Sequence, residues 1–183
     1  MVDAVERVRQ RLVRASAALR AAQVACAVVG GNAVAAWVAT VDVAALRNTQ
    51  DVDIIIQRSS LDAAVLALEA AGFVYRRVAG TDLFLDHSAA SARDAVHIVF
   101  AGEFVPADEF SPNPGVDASV DLGAFRVLNL NALVRIKLTA FRRKDQVHIM
   151  DLISVGLVDS SWVNWYPTVL AARLQQLLDT PDG

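Results

Sequence analysis

Val28-Val29-Gly30-Gly31-Asn32 and, after an Ala-rich stretch, Arg47-Asn48-Thr49-Gln50-Asp51-Val52-Asp53-Ile54-Ile55-Ile56 are the residues on which the fold turns. Residues 24–29 form a short, unbroken apolar run that stops at a glycine pair, the pattern of a buried strand. Asn32 is of a type that caps helices, and the residues beyond it predict a helix through Trp37 to about Ala45. Arg47 to Gln50 reads as a polar connection, and residues 51–56 have the β-branched content of a second strand. Side chains two apart on a strand share a face, so Asp51 and Asp53 project together. Two carboxylates held close raise each other's pKa unless a cation neutralises them, and magnesium is commonly held by one or two carboxylates plus substrate phosphates. A strand ending in Gly-Gly lets backbone amides and a helix N-terminus approach those phosphates. Metal and phosphate would then meet at one place, as phosphoryl or nucleotidyl transfer requires. Alone, a Gly-Gly pair is a turn and an Asp-x-Asp is a strand end or solvated loop; their order and separation carry the information.

Outward from this centre, residues 4–23 show an amphipathic helix with Val5, Val8, Leu12, Ala15 and Leu19 on its apolar face. Ser59 and Asp62 have capping-box spacing ahead of a helix that Gly72 ends. Strands are expected at 73–78, 82–86 and 95–100, then a long Pro/Gly-bearing loop at 101–123 and a short strand at 125–128. Asn129 is placed to cap a helix to about Arg142, with further helices at 144–155 and 160–178. The order gives an α/β (α+β) protein: a core over 1–128 with a mixed sheet flanked by helices, and C-terminal helices over 129–183 packed on it as one unit.

The 183 residues are 55% hydrophobic, with 17 basic and 20 acidic side chains and a formal net charge of -3. That composition argues against disorder, and the balance of charge gives no overall pull toward nucleic acid or anionic lipid. The single cysteine, Cys26, lies in an apolar run and has no partner for an internal disulfide. Residues 24–41 carry no charge, but Gly30-Gly31-Asn32 interrupts them and Ala dominates the second half, so strand, turn and helix account for them better than a membrane span. Glu6, Arg7, Arg9, Arg11 and Arg14 break any apolar signal segment. The expectation is a cytoplasmic protein with no membrane partner.

The stretch VVGGNAVAAW … RNTQDVDIII resembles the first two signature elements of the nucleotidyltransferase superfamily with the DNA polymerase β-like fold, in particular its small bacterial members akin to abortive-infection toxins. LVRIKLTAFRRKDQVHIMDL resembles the C-terminal helical signature of the same proteins. The resemblance implies a nucleotidyltransferase-type fold with NTP as substrate and Mg2+ or Mn2+ as cofactor. It implies that Gly30 and Gly31 cradle the triphosphate, with Asn32 where active members often carry Ser. Asp51 and Asp53 would be metal ligands and catalytic residues. Arg47 and Thr49 would shape the nucleotide pocket, and Lys137 and Lys144 would reach phosphates. The family also expects a third carboxylate on a later strand. Here that strand is residues 95–100, and its central polar residue is His97, the third catalytic candidate. A histidine can act as a base or ligate manganese or zinc, but it is a poor magnesium ligand. Asp94 has the opposite side-chain parity, and Asp86 either faces the same cleft or caps a turn.

Three readings follow. The first is a metal-dependent transferase moving a nucleotidyl group to a hydroxyl of RNA, protein or a small molecule, with a toxin of a toxin–antitoxin pair as one setting. The second keeps the fold as a nucleotide-binding or protein-interaction module that has lost catalysis with its third carboxylate. The third is an interaction subunit, docking a cognate antitoxin or forming a homodimer through the last helix. A Rossmann unit fits less well, because its three-glycine fingerprint is missing, and nothing supplies the acid or nucleophile of a phosphatase. Arg142 and Arg143 fit a solvated face or ion pairs with Asp145 and Asp151. Lys137, among Val134, Ile136 and Leu138, needs an anion, for which the triphosphate is the candidate. His148 and Asp151 have the spacing of a structural pair, and Trp162, Trp165 and Tyr166 that of packing residues.

Overall fold

The triple isoleucine of the second signature is the buried centre of a seven-stranded mixed sheet. The computed structural model describes residues 2–47, 49–91, 94–104 and 111–180; Asn48 and part of the 101–123 loop, Pro106 included, lie outside them. The strands are β1 (Cys26–Val29), β2 (Val52–Ile56), β3 (Val74–Val78), β4 (Thr81–Leu85), β5 (Ala95–Phe100), β6 (Ser119–Asp121) and β7 (Arg126–Leu128), in the order β3-β4-β5-β2-β1-β7-β6. β2 runs parallel to β5 and β1 parallel to β7; the other pairs are antiparallel. Ile54, Ile55 and Ile56 are all fully buried, which requires cover on both faces of the sheet and explains why the run does not alternate.

The helices are α1 (Val2–Ala21), α2 (Gly30–Ala39), α3 (Leu61–Ala70), α4 (Leu130–Ala140), α5 (Arg143–Ser154) and α6 (Thr168–Asp179). α1 packs on α3 and across β1, β2 and β5, while α2 lies over β1, β2 and β7 and meets α4 and α5. One hydrophobic cluster joins sheet and C-terminal helices, from Leu12 and Leu19 through Val28 and Ile54 to Leu133, Leu138, Ile149 and Leu174. No helix among the described residues is long and apolar enough to cross a membrane; the uncharged 24–41 segment is β1 followed by α2.

Several expectations need correction. Asn32 caps nothing: α2 opens at Gly30 with Val29 at its cap position, because Gly30 at φ +68 completes the turn two residues earlier. α2 ends at Ala39, and residues 43–45 form a separate 3₁₀ turn capped by Asp42. The Ser59–Asp62 box is not formed; residues 58–60 make a 3₁₀ turn and Ser60 precedes α3 without a side-chain cap. The 101–123 loop contains β6, whose pairing with β7 no local pattern announces. The expected helix at 160–178 is a 3₁₀ segment, Ser160–Trp165, and then α6, because the residue before Pro167 is forced to extended geometry. Asn129 does cap α4, accepting from the Ala132 amide at 2.9 Å.

Candidate active site at the Gly30–Asp53 corner

Strand pairing assembles the site. The antiparallel β1–β2 pair sets Val29 opposite Asp53, and the parallel β2–β5 pair sets His97 beside Asp53. Gly30 follows Val29 with its left-handed backbone, and a Cβ there would overlap the Asp53 carboxylate. Only glycine allows both the turn and that approach. α2 begins at this point with no side-chain cap, and Gly30 and Gly31 border a cleft of about 610 Å³. Thr49, Asp51, Asp53, His97, Lys137, Lys144 and His148 all line it. A second cavity, of about 370 Å³, lies toward Val28 and Ile54, which have the opposite strand parity to Asp53; Asp121 is its carboxylate.

Asp53 is costly to ionise. Burial pushes its pKa up and the neighbouring Asp51 adds to that, while His97, Lys144 and Lys137 pull against them without prevailing. Neither Asp51 nor Asp53 takes part in an ion pair among the described residues. No group of three or more His, Cys, Asp or Glu side chains suited to a metal ion occurs among the described residues. The chain thus offers two carboxylates, a donor set that fits a hard cation whose other ligands come from phosphate and water.

Lys137 does not wait for a phosphate. Its ammonium is buried, with Nζ 3.1 Å from Asp145 Oδ1, and Asp145 also accepts from Arg142 Nε at 2.7 Å. Burial lowers the lysine's pKa against the pull of Asp145. On Asp145 burial acts upward, but Arg142 and Lys137 together hold its carboxyl below the usual range. The anion that the sequence assigned to the triphosphate is a residue of this chain. Lys137 and Lys144 also do not share one helix: α4 stops at Ala140, and Phe141 at φ +46 turns the chain into α5. That turn still delivers Lys144 to the cleft, exposed and in no ion pair among the described residues.

Two expected nucleotide contacts are spent on structure. Asn32 Nδ2 donates to the Asp51 carbonyl at 2.6 Å, tying α2 to the start of β2. Arg47 lies outside the 610 Å³ cleft, with Nε 2.7 Å from Asp151 Oδ1. Asp151 therefore pairs with Arg47 and not with His148. Asp86 faces α1, where Arg11 and Arg14 meet it, and Asp94 also pairs with Arg11. Sequence reasoning passed over His148, which borders the cleft with Nε2 3.3 Å from where a Gly31 Cβ would stand. Its signal was the four-residue step from Lys144, which puts both on one face of α5.

The seven-stranded mixed sheet flanked by helices is a nucleotidyltransferase-type fold. Among solved structures the chain is similar to the antibiotic-resistance factor ANT(2'')-Ia in solution, with a TM-score of 0.53 and 12% identity over 90% of this chain and 87% of that one. At that identity the likeness shows the fold alone. No family model and no curated protein matches the sequence.

Proposed function

We propose that the protein is a metal-dependent nucleotidyltransferase that moves a nucleotidyl group from an NTP to a hydroxyl acceptor. The observation that carries this reading is the half-buried Asp53 carboxylate pressed against Gly30 at the opening of α2, with its pKa raised despite His97, Lys144 and Lys137. Asp51 and Asp53 would hold Mg2+ or Mn2+, which supplies charge neutralisation at the phosphates and polarises the attacking hydroxyl. Gly30 lets the Asp53 carboxylate close on the start of α2, whose first amides would meet phosphate oxygens. Lys144 supplies a mobile positive charge at the rim. Lys137, fixed by Asp145, adds a constant field rather than a direct contact. His97 pairs with Asp53 across β2 and β5, which supports reading it as the group that would accept the acceptor's proton in place of a third carboxylate.

The same histidine supports the second reading, a nucleotide-binding or protein-interaction module without transfer. Resemblance to abortive-infection proteins adds a toxin role with a cognate antitoxin, and the surface it would use is the exposed Trp165 and Val169 at the C-terminal segment. Nucleotide labelled at the α-phosphate, offered with Mg2+ or Mn2+ to separate pools of RNA, protein and small molecules, tests the transferase. Label from the α- but not the γ-position should enter one pool and be lost in Asp53→Asn. Nucleotide that binds but stays intact in every pool, with wild type and with His97→Asp, would favour the module.

A further inference from the structure

His148 is an uncharged group in a cationic corner. It stands on α5 and borders the cleft, with its ring over the first turn of α2. Its Nδ1 is buried and makes no hydrogen bond among the described residues, so Nε2, beside Gly31, is the ring atom that a ligand in the cleft would reach. The charged groups facing it come from every neighbouring element. Lys137 lies on α4, Lys144 and Asp145 on its own helix, and Arg47, held by Asp151, precedes β2. Burial and Lys137 hold the imidazole pKa down, to about 4, with Lys144 and Arg47 adding and Asp145 opposing. Thr49, whose Oγ1 lies 2.8 Å from the Gly31 Cβ position, brings a hydroxyl to the same spot.

We infer that His148 is a nucleotide-phosphate contact that enters the site neutral and takes up a proton when the triphosphate binds. This rests on the nucleotide-site reading above. A triphosphate brings several negative charges between Lys144 and the start of α2, screening the cations that keep the ring neutral. A neutral imidazole carries its one N–H on either nitrogen, whereas the imidazolium always presents Nε2–H together with a positive charge, and phosphate oxygens only accept. Linkage makes the effect reciprocal: if the nucleotide raises the ring's proton affinity, protons raise nucleotide affinity. Affinity should therefore strengthen as pH falls from the value of the bound form toward that of the free form, by at most about tenfold per pH unit.

Asp53 and the γ-phosphate also exchange protons, so the ring is isolated by the difference between wild type and His148→Gln. Each of the four magnesium NTPs is titrated by calorimetry at several pH values, in buffers of different ionisation enthalpy. Wild type should take up more protons than His148→Gln, and from pH 7.5 to 5.5 its affinity should rise about twofold or more relative to the variant. Equal proton counts and parallel pH profiles would overturn the inference while leaving the nucleotide site intact. No binding of any NTP to wild type would overturn that reading and this one together. Proton NMR of wild type gives a check independent of the variant's folding, because the chain has three histidines. One resonance should titrate near pH 4 in the free protein and above about pH 5.5 with nucleotide bound, and an unmoved midpoint would contradict the assignment.

Discussion

Two pairs of carboxylates stand at the two sides of β5, and the chain treats them in opposite ways. Asp86 and Asp94, at the base of the β4–β5 hairpin, converge on Arg11 of α1, with contacts of 3.4 Å from Nε and 3.2 Å from Nη2. The Arg11 side chain is only 3% exposed, and Arg14 reaches Asp86 as well. Those aspartates are what makes burial of a guanidinium tolerable, and their role is to fasten the hairpin to the helix. Asp51 and Asp53 take part in no ion pair among the described residues, and Asp53 fills the space that the glycine turn at Gly30 leaves. An acidic pair that the chain neutralises itself belongs to the framework. A half-buried pair in no ion pair among the described residues is the one that the proposed function assigns to a metal.

The contrast can be broken in several places. Asp145 lies in the cleft wall yet is neutralised by Lys137 and Arg142, so it belongs with the framework pair. Asp145→Asn leaves Lys137 buried without its counter-charge and should lose about 3–5 kcal/mol in urea unfolding. Asp53→Asn should weaken binding of metal–NTP by more than about a hundredfold, measured by calorimetry. Asp86→Asn should leave that affinity unchanged. Arg11→Met should cost about 1–3 kcal/mol of stability and spare nucleotide binding, because it unfastens Asp94 and one of the two contacts of Asp86 but touches nothing in the cleft. An Arg11 variant that lost binding first would erase the distinction.

The smallest effect is the sharpest. Asp53 has a raised pKa in the folded protein, so folding favours its protonated form. That favourable contribution is complete at acid pH and is lost as pH rises from the ordinary carboxylate range through the folded value. Asp53→Asn should therefore melt higher than wild type at pH 7 to 8 without metal, and the gain should shrink as pH falls toward 4. Asp86→Asn should melt lower. Scanning calorimetry of both variants across pH reads the two signs directly.

How much of this was legible in the residues depends on the range of the cause. The strand of three isoleucines, β5 with His97 at its centre, and the Asn129 cap follow from local chemistry and were read correctly. The i, i+2 spacing of Asp51 and Asp53 likewise needs only strand geometry. Asn32 misled because a helix can begin earlier when a glycine takes the left-handed turn, and the Asn side chain was needed to hold Asp51. Lys137 was rightly read as needing an anion, but Asp145, eight residues on, reaches it only because Phe141 reverses the chain. His148 looked structural since its neighbours in space, Gly31 and Thr49, are about a hundred residues away in sequence. Such partner choices are set by tertiary packing, which periodicity does not encode.

The central claim, that Asp51 and Asp53 are held uncompensated for a metal-bound nucleotide, is tested most directly by calorimetry of NTP binding with and without Mg2+ or Mn2+. The proteins compared are wild type, Asp51→Asn/Asp53→Asn, and Asp86→Asn as the framework control. The account predicts metal-dependent binding in wild type and Asp86→Asn that vanishes in the double variant. Binding of equal strength in the double variant, or no binding of any NTP to wild type under either metal, would contradict it.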